Sequence, residues 1–331
     1  MNIGIIGAGS WGIALASVLS DNGHNVLLLA HKEEIKAEIN NNHTLYAYAP
    51  TVKLSKCIKA TTSYEELLKF SSTLVLVTPS KAISEVMSHL KDLDFQDGTL
   101  IIATKGLVGK KTITTYIDEL MDVKSRKINL VVLSGPSFSR YVLSKKITCV
   151  TVASTNNEKC LEVSKLFHNV YFRVYLSNDV NGVEFCGGFK NVIALGAGLL
   201  DGYEEGSNAR AALISRGLYE MSKYSKVFQI EKETLYGLAG VGDLVLTATD
   251  MTSRNYSLGH YLGKGYSLEE ALKIVKTTAE SIVTVKDLYE ISQEYAIDSP
   301  IISSIYAIVY LNTSPREELD LLMSRTIKSD N

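Results

Sequence analysis

The first half of the sequence alternates between short strand-like runs and helix-like segments, and this alternation limits the possible folds more than any other feature. Strand-like runs rich in β-branched residues occupy residues 3–7, 25–30, 73–79, 99–105, 130–135, 148–154 and 171–177. Helix-like segments lie between several of them, at residues 11–22, 33–41, 80–91, 112–121 and 157–168. The alternation predicts a largely parallel sheet with helices on both faces, and the nearly continuous apolar strands fit burial on both sides.

After Asp179 the strand signal almost disappears and the helical pattern continues to the end. The helix-like segments of this half are residues 181–200, 208–225, 231–236, 267–275, 279–295 and 299–311. The polar stretch LSNDV at residues 176–180 is the expected junction, and 331 residues are enough for two domains. We therefore predict an α/β domain at residues 1–179 and an all-α domain at residues 180–331.

The composition is that of an ordinary globular protein, with 46% hydrophobic and 21% charged residues. The net charge of −2 gives no reason to expect nucleic acid or an anionic membrane as a partner, so a bound anion must be held by a few placed residues. The longest apolar runs are shorter than the roughly 20 residues of a spanning helix, and the N-terminus shows no signal pattern. We expect no nucleic acid and no membrane insertion.

The cysteine and histidine patterns give no sign of a metal site. Cys57, Cys149, Cys160 and Cys186 show no CxxC spacing, and the six histidines are scattered. The cysteines fit the buried thiols of a reduced, cytoplasmic protein. We therefore expect no metal and a cytoplasmic location.

Gly7, Gly9 and Gly12 form a G-x-G-x-x-G pattern between the first strand-like run and the first helix-like segment. The first glycine permits a tight turn, the second lets the backbone approach a pyrophosphate, and the third lets the helix pack on the strand. The N–H groups at the helix N-terminus then face the anion. The pattern predicts a Rossmann-like dinucleotide-binding domain.

The end of the second strand-like run lacks the acidic residue that commonly holds the ribose 2′-hydroxyl of NAD. His31 and Lys32 stand there instead, and Glu33 comes only after them. Both side chains would tolerate or attract a 2′-phosphate, so NADPH and NADH are both expected. The alternative is that they are solvated turn residues.

Later strand-like runs end in polar residues, in the stretches VTPS, ATKG and LSGPS. Ligands of open α/β sheets bind at the carboxyl ends of the strands, so Lys105 is expected in the cleft. Gly135 and Ser137 could offer backbone and hydroxyl groups to a substrate. The alternative for this last stretch is an ordinary turn.

The helical half carries a second set of polar candidates. Asp243 stands at the end of the glycine-rich stretch GLAGVGD and is a candidate site residue. The alternative is that Asp243 is only the N-cap of a helix. Ser253, Arg254 and Asn255 form a compact donor set, in which the arginine suits bidentate phosphate contacts, although a surface loop could have the same composition. Together with Lys105 and Lys190, these residues describe a pocket for a small phosphorylated oxo or hydroxy compound.

The second of those lysines, Lys190, is the one charged side chain after Glu184 in the apolar stretch 183–200. A buried charge is costly unless it is paired or its pKa shifts. Lys190 is therefore either a site residue or an edge lysine whose stem lies along the helix while its head reaches water.

These motifs together resemble one known family. The stretches GAGSWGIALA, ATKG, LSGPSF, FKNVIALGAG, NARAALISRGLYEM, GLAGVGDLVLT and SRN occur in the order seen in bacterial-type NAD(P)-dependent glycerol-3-phosphate dehydrogenases. The resemblance covers essentially the whole chain and is far more specific than the glycine pattern. It implies reversible reduction of dihydroxyacetone phosphate to sn-glycerol 3-phosphate, which feeds glycerophospholipid synthesis in the cytoplasm, and it implies a homodimer.

The resemblance also assigns roles to individual residues. Lys190 matches the catalytic lysine of the family. The positions on the substrate side are Lys105, Gly135, Ser137, Asn191, Asp243, Thr247, Ser253, Arg254 and Asn255. The positions on the cofactor side, besides the three glycines and Lys32, are Ser10, Trp11, His31, Lys105, Ser139, Arg254 and Glu280.

The chain departs from the family pattern at a few positions. Ser139 stands where alanine is usual and Tyr141 where an acidic residue is usual. The stretch FCGGF replaces a more usual Gly-Ala-Leu pattern before the lysine, and TTAES matches loosely around Glu280. None of these changes removes a residue that the chemistry needs.

The implied chemistry is hydride transfer between the cofactor and C2 of the substrate, with Lys190 moving the proton. Two alternatives remain from the sequence. One is a reductase of the same layout for a different hydroxy acid, which would not need the SRN cluster. The other is a non-catalytic nicotinamide sensor, which would have no use for Lys190 or Asp243.

Overall fold

The computed structural model describes residues 1–276 and 280–327. The chain forms two compact units, Met1–Glu184 and Phe185–Asn331. The predicted junction at Val180 coincides with the start of a long helix, and the two units divide a few residues inside that helix. The predicted domain boundary stays a prediction.

The first unit contains an eight-stranded sheet among its described residues. The strands are β1 (Asn2–Ile6), β2 (Asn25–Leu29), β3 (Ile58–Thr61), β4 (Thr73–Leu76), β5 (Gly98–Ile102), β6 (Ile128–Ser134), β7 (Thr148–Ala153) and β8 (Phe172–Ser177). Their order is β3-β2-β1-β4-β5-β6-β7-β8, and every neighbouring pair is parallel except β6 and β7. The predicted mostly parallel sheet is confirmed, with β7 and β8 running against the others.

Helices cover both faces of this sheet, which is why the central strands are apolar at nearly every position. In β1 the last four residues are all buried, and the same holds for β5. The helices of the unit are α1 (Ser10–Asp21), α2 (Glu33–Ala37), α3 (Tyr64–Phe70), α4 (Ile83–Asp92), α5 (Ile113–Met121), α6 (Ser139–Leu143) and α7 (Asn157–Phe167). A strand buried on both faces has no polar side to alternate with, so period-two patterning is absent.

The sequence analysis missed β3 and α3. The strand has only four residues, lies at the edge of the sheet and carries the exposed Lys59. The helix did leave a signal: Ser63 is followed three residues later by Glu66, and its hydroxyl accepts the Glu66 N–H at 3.1 Å. That spacing is the start of a capping box.

The described residues of the second unit contain helices and no strand, as predicted. Helix α8 (Val180–Gly202) enters the unit, and the following helices are α9 (Gly206–Lys223), α10 (Ser225–Phe228), α11 (Lys232–Tyr236), α12 (Asp243–Ala248), α13 (Arg254–Gly263), α14 (Leu268–Val275), α15 (Glu280–Glu294), α16 (Pro300–Tyr310) and α17 (Pro315–Met323). The predicted helix 279–295 corresponds to α15, with residue 279 outside the described residues. The short helices α10, α12, α13 and α17 were not predicted.

Glycines bring α8 and α13 into direct backbone contact. A Cβ atom at Gly198 would lie 1.9 Å from the Tyr256 carbonyl oxygen, and one at Gly259 would lie 1.9 Å from the Leu195 carbonyl oxygen. Real Cβ atoms cannot come so close, so any side chain at either position would push the helices apart. This contact fixes where the first turn of α13 lies on α8.

Helix α8 is long and apolar enough to cross a bilayer, with a mean hydropathy of 1.3 over its best window, but 94% of that window is buried inside the protein. Its aromatic residues form part of a core. The rings of Phe185 and Phe228 lie 4.4 Å apart, and Phe189 meets Tyr224 edge-on at 5.6 Å. The unusual FCGGF stretch therefore supplies core aromatics, and α8 reads as a core helix.

Two buried glutamates cap helices from elsewhere in the chain. Glu184 accepts the Thr114 N–H at 3.1 Å at the start of α5. Glu220 accepts the N–H groups of Ile301 and Ile302 at 3.0 and 2.9 Å at the start of α16. Burial, only partly opposed by these hydrogen bonds, raises the pKa of each carboxyl to about 7.

Candidate active site

The glycine turn of the first unit has the geometry that its sequence predicts. Gly7 adopts a φ of +119°, which a residue with a side chain rarely does. A Cβ atom at Gly12 would lie 2.0 Å from the Gly7 carbonyl oxygen, whereas nothing lies within 4 Å of a Cβ built on Gly9. Gly7 and Gly12 therefore shape the turn, and Gly9 leaves the outer face of the turn open to a ligand.

Ser10 and Trp11 open α1 directly after this turn. The Trp11 ring nitrogen is buried and has no hydrogen-bond partner among the described residues. A buried donor without an acceptor is costly, and a bound ligand at the turn would remove that cost. This orphaned donor fits the cofactor-side position predicted for Trp11.

His31 and Lys32 lie just beyond the end of β2 and are exposed. Lys32 precedes the first residue of α2. Glu33, the first acidic residue after them, makes an ion pair with Lys36 at 3.2 Å and accepts a hydrogen bond from Thr62. The His31 and Lys32 side chains are thus accessible to a ligand phosphate, and the Glu33 carboxylate is engaged with Lys36 and Thr62.

Lys105, Gly135 and Ser137 come together at the carboxyl ends of β5 and β6. The Lys105 Nζ donates to the Gly135 carbonyl oxygen at 3.1 Å, and the Ser137 hydroxyl donates to the same oxygen at 2.9 Å. Gly135 has a φ of +133°. The SGPS stretch is therefore more than an ordinary turn, because it holds the half-buried lysine at the edge of the sheet.

Ser139 begins α6, two residues after that cluster. The neighbouring departure from the family pattern, Tyr141, is exposed, and its ring lies 4.4 Å from the Arg140 guanidinium carbon. The phenol also accepts a hydrogen bond from Arg140. Tyr141 thus interacts with the neighbouring Arg140, and the contacts described do not link it to any predicted site residue.

Lys190 is buried, with 4% of the residue exposed, so the edge-lysine alternative is wrong. Its Nζ lies 2.7 Å from Asp243 Oδ1 and 2.6 Å from Thr247 Oγ1. The Thr247 hydroxyl donates its own proton to the Asp243 carbonyl at 2.7 Å, so its lone pairs face the ammonium. The buried charge of α8 is paired with a carboxylate and hydrogen-bonded, as a stable buried charge must be.

Asp243 reaches this position because of the glycine-rich segment that precedes α12. Gly240 has a non-helical ψ of −107°, and a Cβ there would lie 2.2 Å from the Leu235 carbonyl oxygen. Gly242 precedes the helix, and Asp243 is its first residue, 1% exposed. The N-cap alternative for Asp243 is therefore wrong, since its side chain turns to Lys190.

The SRN stretch forms the start of α13. Ser253 is the N-cap, and its hydroxyl accepts the Tyr256 N–H at 3.3 Å. Arg254 is exposed, whereas Asn255 is buried and its Oδ1 accepts the Ser281 N–H at 3.2 Å. The amide oxygen is taken by that donor, and the Asn255 NH2 group carries the donors of this side chain.

The remaining predicted positions are less fully defined by contacts. Asn191 follows Lys190 on α8 and is 5% exposed. Glu280 is the half-buried first residue of α15. The loosely matching TTA of residues 277–279 lies outside the described residues. Sequence reasoning missed Ser281, and no local signal could have found it, because its role is a backbone N–H.

The comparisons with known proteins decide the family. The family described as NAD-dependent glycerol-3-phosphate dehydrogenase matches over its N-terminal part at residues 2–160 and over its C-terminal part at residues 179–320. The chain belongs to this family. A glycerol-3-phosphate dehydrogenase [NAD(P)+] of Ligilactobacillus salivarius is 41% identical over 334 aligned positions, covering 99% of this chain and 98% of the relative. One of Bacillus cytotoxicus is 40% identical over 331 positions, covering 99% and 96%.

Solved structures of the family agree. The crystal structure of glycerol-3-phosphate dehydrogenase from Coxiella burnetii superimposes with a TM-score of 0.92 at 35% identity, covering 98% of this chain and 99% of that one. The D-mandelate dehydrogenase structure with NADH has a TM-score of 0.57 at 15% identity, which shows a shared fold alone. The predicted oxidoreductase class, the family and the NADH or NADPH cofactor are confirmed. The residue roles stay predictions.

Proposed function

We propose that this glycerol-3-phosphate dehydrogenase family member interconverts dihydroxyacetone phosphate and sn-glycerol 3-phosphate with NADPH or NADH. The observation that carries the proposal is the buried Lys190, held at 2.7 Å from Asp243 and 2.6 Å from Thr247. A non-catalytic nicotinamide sensor would have no use for a desolvated ammonium of this kind. The product feeds glycerophospholipid synthesis.

Lys190 is the group that moves the proton. In reduction its ammonium donates to the oxygen that develops negative charge at C2, and in oxidation its amine takes the hydroxyl proton. The nicotinamide supplies the hydride when it is bound. Asp243 and Thr247 orient Nζ and stabilise its charged form, so the proton donor is in place before the substrate arrives.

The substrate phosphate is held at the start of α13. Arg254 supplies charge-assisted donors, the Asn255 NH2 group donates as well, and the helix N-terminus adds backbone N–H groups. Ser253 contributes from the N-cap position. These interactions use the binding energy of the phosphate to orient the reacting carbon, which is why the substrate must be phosphorylated.

The other predicted residues bind the rest of the ligands. Lys105 and Asn191 stabilise negative charge on the substrate oxygens, and Gly135 and Ser137 line the substrate side. The cofactor is held by the glycine turn together with the side chains of Ser10, Trp11, His31, Lys32, Lys105, Ser139, Arg254 and Glu280.

The decisive experiment is a reduction assay with the purified protein, followed by loss of nicotinamide absorbance. Dihydroxyacetone phosphate should be reduced with NADPH and with NADH, and unphosphorylated dihydroxyacetone should be a poor substrate. Equal turnover of both substrates, or a preference for an unphosphorylated 2-keto acid in a substrate panel, would favour the hydroxy-acid reductase. Binding of NADPH without turnover of any substrate would favour the sensor.

We further propose that the protein is a cytoplasmic homodimer. Light scattering coupled to size exclusion should give twice the chain mass of 36.3 kDa. A monomeric mass at micromolar concentration would contradict the dimer. A fractionation in which the protein follows the membrane pellet would contradict the location.

A further inference from the structure

Arg210 lies on the first turns of α9 and is linked to the start of α13. Its Nη1 donates to the Tyr256 hydroxyl at 3.1 Å and lies 3.7 Å from Asp201 Oδ1. A second guanidinium nitrogen is 3.5 Å from the Ser207 hydroxyl, which is a weak contact within α9. None of the roles assigned so far uses this arginine, although it lies in the stretch NARAALISRGLYEM.

Tyr256 is the residue directly after Asn255, and it is fixed from several sides. Its N–H donates to Ser253 at the N-cap, and its carbonyl oxygen lies where any side chain at Gly198 would clash. Its ring packs with Ala197 and Ala248 in a small buried cluster. Burial raises the pKa of Tyr256 against the opposing hydrogen bond from Arg210, so the hydroxyl keeps its proton.

A second link joins the same helices further along. His260, one turn after Tyr256 on α13, has Nδ1 2.7 Å from Asp201 Oδ2 at the end of α8. Asp201 therefore contacts both Arg210 and His260. Side chains from α8 and α9 thus hold α13 at two successive turns.

We propose that Arg210 is a positioning residue for the substrate phosphate, acting through Tyr256 on the neighbouring Arg254 and Asn255. The inference rests on the proposed function of that site. Without the guanidinium, the Tyr256 ring remains packed but its hydroxyl loses the donor that fixes it. The first turn of α13 then gains freedom, and the two phosphate-binding side chains are presented less precisely. Loss of positioning weakens phosphate binding and leaves the proton-transfer group untouched.

The test compares Arg210→Met, Tyr256→Phe, the double variant and Arg210→Lys by steady-state kinetics. We expect Arg210→Met to raise KM for dihydroxyacetone phosphate roughly tenfold, the scale of a lost hydrogen bond to a charged group. Its kcat should stay within about twofold of wild type, and its KM for NADPH should rise less than its KM for dihydroxyacetone phosphate, because Arg254 is one of many proposed cofactor contacts. Tyr256→Phe should reproduce most of the increase, and the double variant should be no worse than Arg210→Met, because both single changes remove the same bond. Arg210→Lys should recover part of the loss.

Arg316→Met is the matched control. Arg316 lies in the same unit and makes an ion pair with Glu205 at 2.7 Å, but its side chain is 57% exposed. It should leave both KM values unchanged. Thermal midpoints of all variants separate positioning from folding, because a purely structural role would lower the midpoint and the active fraction while KM for the substrate stayed the same.

Two results would overturn the proposal: an unchanged substrate KM in Arg210→Met, or increases that multiply in the double variant. If the wild type does not reduce dihydroxyacetone phosphate, the proposed function fails, and the positioning is judged with inorganic phosphate instead. Phosphate should then raise the thermal midpoint of the wild type and of Arg316→Met, and raise that of Arg210→Met much less. Equal protection of all three would refute the positioning role by itself.

Discussion

The glycine turn of the first unit and the Lys190 pair of the second are built in opposite ways. The turn depends on backbone geometry within six residues, since the Gly12 position packs against the Gly7 carbonyl. The pair joins side chains 53 positions apart, and Thr247 is four positions further on. A short motif can therefore specify a tight glycine turn, whereas a buried ammonium needs distant parts of the helical unit to bring its partners to it.

The electrostatic contrast is equally clear. His31 and Lys32 are exposed side chains beside a turn, where solvent screens the Lys32 charge and its interactions contribute little. Lys190 and Asp243 have side chains 6% and 1% exposed, so each is costly without the other. Changes in the second unit should consequently have larger effects than matched changes in the first.

The largest effect is expected from Lys190→Met, which keeps much of the volume but removes the proton carrier. We expect kcat to fall at least about 100-fold, the usual contribution of general acid–base catalysis, with KM for NADPH nearly unchanged. The variant should also lose roughly 3 kcal/mol of stability, because the buried Asp243 carboxylate loses its ammonium partner. Steady-state kinetics and urea unfolding measure the two effects.

Asp243→Asn in the Lys190→Met background is the control for that loss. The amide is neutral, so most of the lost stability should return while turnover stays low. A folded Lys190→Met protein with near wild-type turnover would remove Lys190 from the mechanism.

The next effect concerns phosphate recognition in the same unit. Arg254→Ala should cost roughly 2 kcal/mol of substrate recognition, about 30-fold in kcat/KM, the scale of a broken charge-assisted bond. Turnover of unphosphorylated dihydroxyacetone should hardly change. An equal loss for both substrates would show that Arg254 does not recognise the substrate phosphate.

How much of this could be predicted from the sequence depends on the range of the contacts. The glycine turn and most sheet strands were predicted because their signals lie within one element. Lys190 was recognised as anomalous, but the sequence left its burial open, because only α12 packed beside α8 shows that Asp243 reaches it. The close contact at Gly198 and Gly259 had no sequence signal, since a glycine at a helix crossing has meaning only when both helices are known.

Buried carboxylates offer a finer comparison, since Glu184 and Glu220 accept hydrogen bonds from backbone N–H groups, whereas Asp243 contacts an ammonium directly. The folded chain raises the pKa of Glu184 from 4.5 to about 7, so the folded state holds the proton more tightly than the unfolded state. Between pH 4.5 and about 7 the carboxyl is ionised in the unfolded chain but still protonated in the folded chain. The free energy of unfolding therefore falls as pH rises through this range. Glu184→Gln removes this dependence and should gain about 1–2 kcal/mol on the wild type between pH 5.5 and 7.5.

Urea unfolding at several pH values measures that change, and Glu220→Gln is the matched variant in the second unit. In the wild type, burial likewise raises the pKa of the Glu220 carboxyl to about 7. The stability of Glu220→Gln relative to wild type should therefore also increase as pH rises. A pH-independent difference between Glu184→Gln and wild type would mean that the carboxyl titrates alike in both states.

The smallest effect is expected at the exposed end of β2, where His31 and Lys32 are proposed to set the choice between cofactors. The double variant His31→Asp with Lys32→Glu replaces two groups that tolerate a 2′-phosphate by two that repel it and can accept a hydrogen bond from the ribose 2′-hydroxyl. Because both positions are solvent-exposed, salt weakens the repulsion, and we expect the NADPH-to-NADH ratio of kcat/KM to fall about tenfold at low ionic strength and less at 0.5 M salt. Lys36→Glu is the control, since Lys36 is already paired with Glu33, and its ratio should change little. If the wild type rejects NADPH, or if the double variant keeps the wild-type ratio, the two residues are solvated turn residues and another part of the site sets the preference.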